Sequence, residues 1–186
     1  MTYTSTNRPT NINPLNPNGF KFGFSKITGI SYFVQSINLP DITLGEPTQN
    51  TPLSPIYIPG EILTYGSLNL EYIVDEDMTN YMILYKWLVA LGKPKNYSQY
   101  GNIPVDSNVN NSLISELAKN YSDATLTLLN NNNQASRIIT FKDCFPTSIN
   151  AINFDASVSD VTYVKSTCTF RYSYYTISSP NSTTSY

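Results

Sequence analysis

Along most of the chain apolar residues recur at every second position, and in one segment the spacing switches to that of a helix. Residues 20–27 (FKFGFSKI) place Phe20, Phe22 and Phe24 on one side, the pattern of a half-buried strand. Gly29 marks a turn, and 31–40 (SYFVQSINLP) reads as a second strand stopped by Pro40. Residues 41–60 are punctuated by Pro47, Pro52, Pro55 and Pro59, which exclude a central strand and leave short edge strands or an extended loop. Residues 67–74 (SLNLEYIV) alternate cleanly, with Leu68, Leu70, Tyr72 and Val74 facing one way.

The change of period comes after Asp75, a good N-cap followed by Glu76 and Asp77, where a helix dipole favours negative charge. Fourteen residues free of Gly and Pro then run to Gly92 and Lys93-Pro94, a stop signal, which predicts a helix over 76–91. Met78, Tyr81, Met82, Tyr85, Leu88 and Val89 form its main apolar stripe. Leu84, Trp87 and Leu91 extend that stripe round the cylinder, so more than one side must be covered.

Residues 93–121 are a polar insertion in which 112–120 (SLISELAKN) is compatible with a short helix. A strand at 123–130, a hairpin loop at 130–134 (NNNNQ) and a returning strand at 136–145 follow, with Pro146 expected to break the ladder and 148–155 to resume it. Residues 161–177 make the longest strand candidate. Val164, Cys168, Phe170, Tyr172 and Tyr174 form its apolar side, opposite Lys165, Thr167, Thr169, Arg171 and Ser173. Residues 1–19 and 178–186, rich in Asn, Ser, Thr and Pro, read as flexible arms around one globular unit over 20–177. The sum is a mainly β (α+β) domain, two packed antiparallel sheets in a sandwich or barrel with one flanking helix.

Composition narrows the function. The chain has 186 residues, of which 13% are charged, and its formal net charge is -2. It therefore offers no basic footprint for phosphates. The absence of histidine removes Ser–His–Asp and Cys–His triads and His-ligated zinc. No GxxxxGK[ST] or GxGxxG signals a phosphate cradle. No catalytic residue, cofactor site or metal site is expected. Cys144 and Cys168 form no CxxC and lie in strand-like runs, where a buried thiol is the plain reading and a disulfide between paired strands the alternative. No apolar run approaches the ~20 residues of a membrane span, and the N-terminus lacks the apolar core of a signal peptide, so a soluble product outside the usual secretory route is expected.

The fifteen tyrosines could build a stacking surface for sugars or bases, but their spread through strands favours core and subunit interface. Two features point beyond an isolated domain. A strand near 161–177 would be about three times the usual roughly five or six residues, with no proline to blunt its edge. The helix wants a second cover, which makes Leu84, Trp87 and Leu91 candidates for a subunit interface. Both features predict self-assembly.

In this setting the C-terminal half resembles a known signature. Residues 141–155 (FKDCFPTSINAINFD), a short turn and 166–176 (STCTFRYSYYT) are similar to tail tube proteins of contractile-tailed bacteriophages. The aromatic-Pro-Thr step is Phe145-Pro146-Thr147-Ser148-Ile149, and Asp155 closes the segment. Residues 33–42, ending in Leu-Pro, and the strand–helix order of 66–92 match as well, so the resemblance spans about 20–176.

It implies hexameric rings sharing an inner β-barrel and stacked into the tube through which phage DNA is ejected. DNA would pass without being bound. A tail sheath protein would lie outside, baseplate and tail-terminator proteins at the ends, and the subunit would reside in the virion after assembly in the host cytoplasm. No membrane and no catalytic residue belong to that picture. Type VI secretion tubes and phage-derived tail-like particles share it. The competing expectation is a Tyr-rich β-sandwich module of a phage fibre or surface protein that recognises glycans.

Overall fold

A computed structural model describes residues 12–27, 29–92, 95, 120–155, 157 and 163–180. The alternating segments become strands β1 (Phe20–Phe24), β2 (Val34–Ile37), β7 (Leu68–Ile73), β8 (Ser122–Leu129), β9 (Ala135–Ile149), β10 (Lys165–Arg171) and β11 (Tyr174–Ser178). All pair antiparallel, in the order β1-β8-β9-β10-β7-β2, with β11 also on β9. The first part of β9 pairs with β8 and β11, and its last residues pair with β10. One long strand therefore passes between two sheets, and the inward residues of both close on a single core. That core holds Phe22, Phe24, Leu68, Leu70, Tyr72, Leu126, Phe141 and Phe170.

Two expectations about strands are corrected. Pro146 does not break β9. It is buried opposite Phe170, beside a register shift between Thr169 and Phe170, so its missing N–H falls at an irregularity in the ladder. The expected long strand at 161–177 is two strands bent at Tyr172–Ser173, and β10 is central, between β9 and β7. The expected unprotected edge is therefore absent at β10. The bend also shifts the alternation: Tyr172 and Tyr175 pack on the core while Tyr174 turns outward.

The helix α1 (Thr79–Gly92) begins three residues later than its sequence suggests. Asp75–Asp77 instead form a turn closed by Met78 N–H donating to the Asp75 carbonyl at 2.9 Å, and Met78 itself has φ 53°. Asp75 Oδ1 still caps the helix, accepting from Asn80 N–H at 3.1 Å, while buried Asn80 donates from Nδ2 to the Ile73 carbonyl at 2.7 Å. The second apolar face is the inward one. Leu84 and Trp87 have no exposed surface, and Leu91 packs against the same core. Trp87 meets Phe24 edge-on at 5.7 Å and donates from Nε1 to the Asn120 carbonyl at 3.2 Å. Leu84 and Trp87, expected to face a neighbour, are thus enclosed by their own subunit. The outer face carries Met82 and Tyr85 instead.

Cys144 and Cys168 are both free and buried. The possible helix at 112–120 lies outside the described residues except for Asn120, as do residues 1–11 of the N-terminal arm and 181–186 of the tail.

Candidate assembly surface

Between β2 and β7 the proline-punctuated stretch forms a long two-stranded ribbon. Strand β3 (Ile42–Leu44) pairs with β6 (Leu63–Tyr65), and β4 (Thr48–Gln49) pairs with β5 (Ile56–Tyr57). Backbone bonds from Gly66 to Asp41 (3.0 Å), Gly45 to Ile62 (3.0 Å), Gly60 to Gly45 (2.7 Å) and Ile58 to Pro47 (3.0 Å) make the two ladders one element. Gly60 is required by close approach, because a Cβ there would collide with the Gly45 backbone; at Gly66 a Cβ would have to displace the Asp41 carboxylate.

The ribbon is rooted in aromatic packing. Tyr65 lies 5.6 Å from Tyr175 and 6.0 Å from Tyr172, at the bend that joins β10 to β11. Tyr175 Oη donates to the Pro40 carbonyl at 3.5 Å, and Arg171 donates to that of Tyr65 at 3.5 Å. Burial, reinforced by the neighbouring Tyr175, pushes the Tyr172 phenol up to about 12.

Beyond the root the ribbon has no core of its own. Leu53 is 97% exposed and Ile62 74%, and Ile42, Leu44, Ile56, Tyr57, Ile58 and Leu63 are exposed with them. So much contiguous apolar surface marks an interaction site. The prolines deny a long backbone ladder to any third strand, so side chains must carry the contact. The prolines predict edge strands or a loop in this stretch, and edge strands form. Its available signal was composition: aliphatic residues throughout, acidic Asp41, Glu46 and Glu61, and no basic residue between 41 and 66.

A second surface has the opposite character. The outer face of the β10–β7 pair presents Lys165, Thr167, Thr169 and Arg171 beside Asn69 and Glu71. Thr169 donates to Asn69 Oδ1 at 3.0 Å, and Asn69 N–H donates to Asn38 Oδ1 at 2.6 Å. Lys165 pairs with Glu71 at 3.2 Å, and Ser36 donates to the other Glu71 oxygen at 3.2 Å. The cations sit at the two ends of β10, the first paired within its own subunit. The result is a hydrogen-bonded wall rich in amides and hydroxyls, with half-buried Ile73 opposite Lys165 at one end.

The signature residues make contacts within the subunit. Phe145 meets Tyr121 edge-on at 5.6 Å, Thr147 donates to the Thr169 carbonyl at 3.1 Å, and Ile149 lies across from Cys168. Asp155 accepts from Ser157 N–H and Oγ, which hold its carboxyl below the usual range. Among the described residues no three Cys, Asp or Glu side chains gather as metal ligands would.

A family model described as phage tail tube protein matches residues 10–178. No curated protein sequence matches the chain. Among solved structures, the chain is similar to the tube-terminating cap of the anti-feeding prophage (TM-score 0.62, 14% identity, 96% of this chain and 99% of that one). It is also similar to a sheath/tube terminator structure of PVC, an extracellular contractile injection system (0.60, 15%, 90% and 98%). A PVC sheath–tube complex in the extended state gives 0.59 at 16% identity over 89% and 92%. At these identities the likeness establishes the fold: antiparallel sheets packed with one helix.

Proposed function

The chain belongs to the phage tail tube protein family, and on that premise we propose that it is a structural subunit that self-assembles into stacked hexameric rings, the inner tube of a contractile phage-like particle. The observation that carries this reading is the ribbon at 41–66, whose apolar side chains are left in water by the isolated chain. A monomer gains nothing from such an element, whereas a subunit buries it at about 25 cal/mol per Å² of apolar surface.

The polar wall of β10 and β7 is the surface suited to the lumen. Its amides and hydroxyls hold water, and Glu71 offsets Lys165, so a passing polyanion finds few fixed cations. In this role the chain has a sheath protein outside it and baseplate and terminator proteins at the tube ends. DNA passes through on ejection, and the site is the virion or particle after assembly in the host cytoplasm.

Imaging of the purified protein, with mass measurement in solution, tests the reading. Rings or tubes with a uniform central channel are expected. A strict monomer at high concentration would overturn it.

A further inference from the structure

Residues 12–18 (INPLNPN) lead into β1 and contain three asparagines. Asn13 and Asn16 each precede a proline, which has no N–H. Asn18 precedes Gly19, and of the eight glycines in the chain only Gly19 follows an asparagine. Asn18 is exposed in a turn, its backbone N–H donating to Asn16 Oδ1 at 3.1 Å. Among the described residues, none hydrogen-bonds its carboxamide. The Gly19 N–H makes a long bond, 3.4 Å, to the Asn16 carbonyl. The other side of Gly19 is fixed. Its carbonyl accepts from Leu129 N–H at 2.8 Å, and a Cβ would press on the Leu129 carbonyl at 3.2 Å. The fold thus keeps next to Asn18 the one residue with no side chain to shield its amide nitrogen.

We propose that Asn18 is a self-modification site, at which the folded chain turns an amide into a carboxylate without an enzyme. The Gly19 amide nitrogen gives its proton to solvent base and bonds to Asn18 Cγ. The Cγ–Nδ2 bond breaks, ammonia leaves, and a cyclic imide closes. Water then opens the ring. Cleavage at Cγ leaves aspartate, and cleavage at the backbone carbonyl leaves isoaspartate, whose main chain runs through Cβ and Cγ. Nothing is oxidised or reduced. Either product adds a carboxylate to the groove between β1 and β2, where Lys21 is the single charged residue among the described ones lining it. Isoaspartate also lengthens the backbone just before the Gly19–Leu129 bond at which β1 begins.

Ageing the full chain in mildly alkaline buffer tests the site, with the proteolytic peptide ending at Lys21 followed by mass spectrometry. Asn18 should show the mass gain of an amide turned acid about tenfold faster than Asn13 or Asn16. The product should separate into two isomers, one of them methylated by a protein isoaspartate methyltransferase. Asn18→Gln should abolish both, and ageing in denaturant should proceed at a similar rate, since the turn is already open to solvent. An Asn13 or Asn16 that reacts as fast, or a folded chain that keeps the Asn18 amide while the denatured chain loses it, overturns the proposal. Amide hydrogen exchange reads the effect on β1. Chains bearing isoaspartate should lose protection at the Leu129 N–H, while Asn18→Asp, which adds the charge without lengthening the backbone, should keep it. Unchanged protection in the isoaspartate form overturns that consequence.

Discussion

Ser173 donates its hydroxyl to the Asp143 carboxylate at 3.1 Å, and these residues sit at the two bends that carry the chain between its sheets. Asp143 is the bend of β9, with φ 56°; Ser173 is the bend between β10 and β11, its N–H bonded to the Lys142 carbonyl at 2.9 Å. Lys142 in turn reaches Asp123 at 2.5 Å, so three segments are tied at one corner. The same corner seats Tyr172 and Tyr175, on which the ribbon root packs. Ribbon direction and sheet crossing are thus fixed by one cluster.

The left-handed backbone at Asp143 makes the first prediction. A non-glycine residue there costs on the order of 1–3 kcal/mol, least for Asn and Asp, most for a β-branched side chain. Asp143→Val should lower the unfolding free energy of the subunit by about that amount. Asp143→Asn should cost less, since it keeps backbone tolerance and gives up only the charge. Equal losses in denaturant titrations would assign the effect to the carboxylate.

The second prediction concerns Trp87. Its enclosure by Phe24 and Phe170 and its indole bond to Asn120 make it a core residue. Trp87→Ala should destabilise the subunit by about 3–5 kcal/mol. Met82→Ala on the outer face should stay within about 0.5 kcal/mol. A Trp87→Ala subunit of normal stability that fails to assemble would return this residue to the interface.

Strand alternation made most of the sheet order's raw material legible: Phe20, Phe22 and Phe24, and Leu68, Leu70 and Tyr72, face inward as their spacing predicts. What alternation cannot carry is an inserted residue. The αL conformation at Asp143 and the bend at Ser173 each break the period of two with no Gly or Pro to mark the place, and the second bend makes Tyr174 and Tyr175 exchange sides. The helix failed differently. Both its faces are apolar, so the wheel could not say which faced inward; Trp87 does, because its bulk fits the gap between the sheets and its N–H finds a carbonyl there. The ribbon was illegible because its ladders are short and its apolar residues answer to no core within the chain.

Alkali provides the third prediction. Burial, reinforced by the Asp123 charge, pushes the Cys144 thiol from 9.0 up to about 12. Burial raises Tyr72 from 10.0 to about 12 and drives Cys168 upward as well. In the unfolded chain these groups release protons near their ordinary values while the folded chain retains them. Between about pH 9 and 12 the unfolded state therefore binds fewer protons, and stability falls as pH rises. The bond to Asp123 raises the Lys142 ammonium, whose contribution is present below 10.5 and lost above it, in the same direction. Lys26, lowered by burial, opposes the trend weakly. Denaturation midpoints should be level up to about pH 9 and then decline. Replacing both cysteines by Ala should remove the earliest part of that decline, and an unchanged profile would mean that the thiols ionise as freely folded as unfolded.

The last prediction isolates the wall facing Lys165. Each cation that contacts phosphate adds affinity by releasing a counterion, and the gain shows as a steeper dependence of binding on salt. Glu71 removes that opportunity by holding Lys165 at 3.2 Å, with Ser36 fixing the carboxylate from the other side. At the far end of the strand, Arg171 is turned to the Tyr65 carbonyl at the ribbon root. Assembled wild-type material should bind duplex DNA weakly even at low salt. Glu71→Gln keeps the shape of the side chain and its bond to Ser36 while freeing Lys165. It should strengthen binding, and in the ring assembly proposed above the freed cations of neighbouring subunits would act together. The slope of log affinity against log salt should steepen by close to one for each freed lysine that meets a phosphate. Arg171→Gln, tested alone, should change binding little if its guanidinium is held at the ribbon root. Tight, salt-sensitive binding by the wild type would mean that the wall grips its cargo, and the conduit role would fail. A Glu71→Gln tube with unchanged affinity would place this face away from the channel.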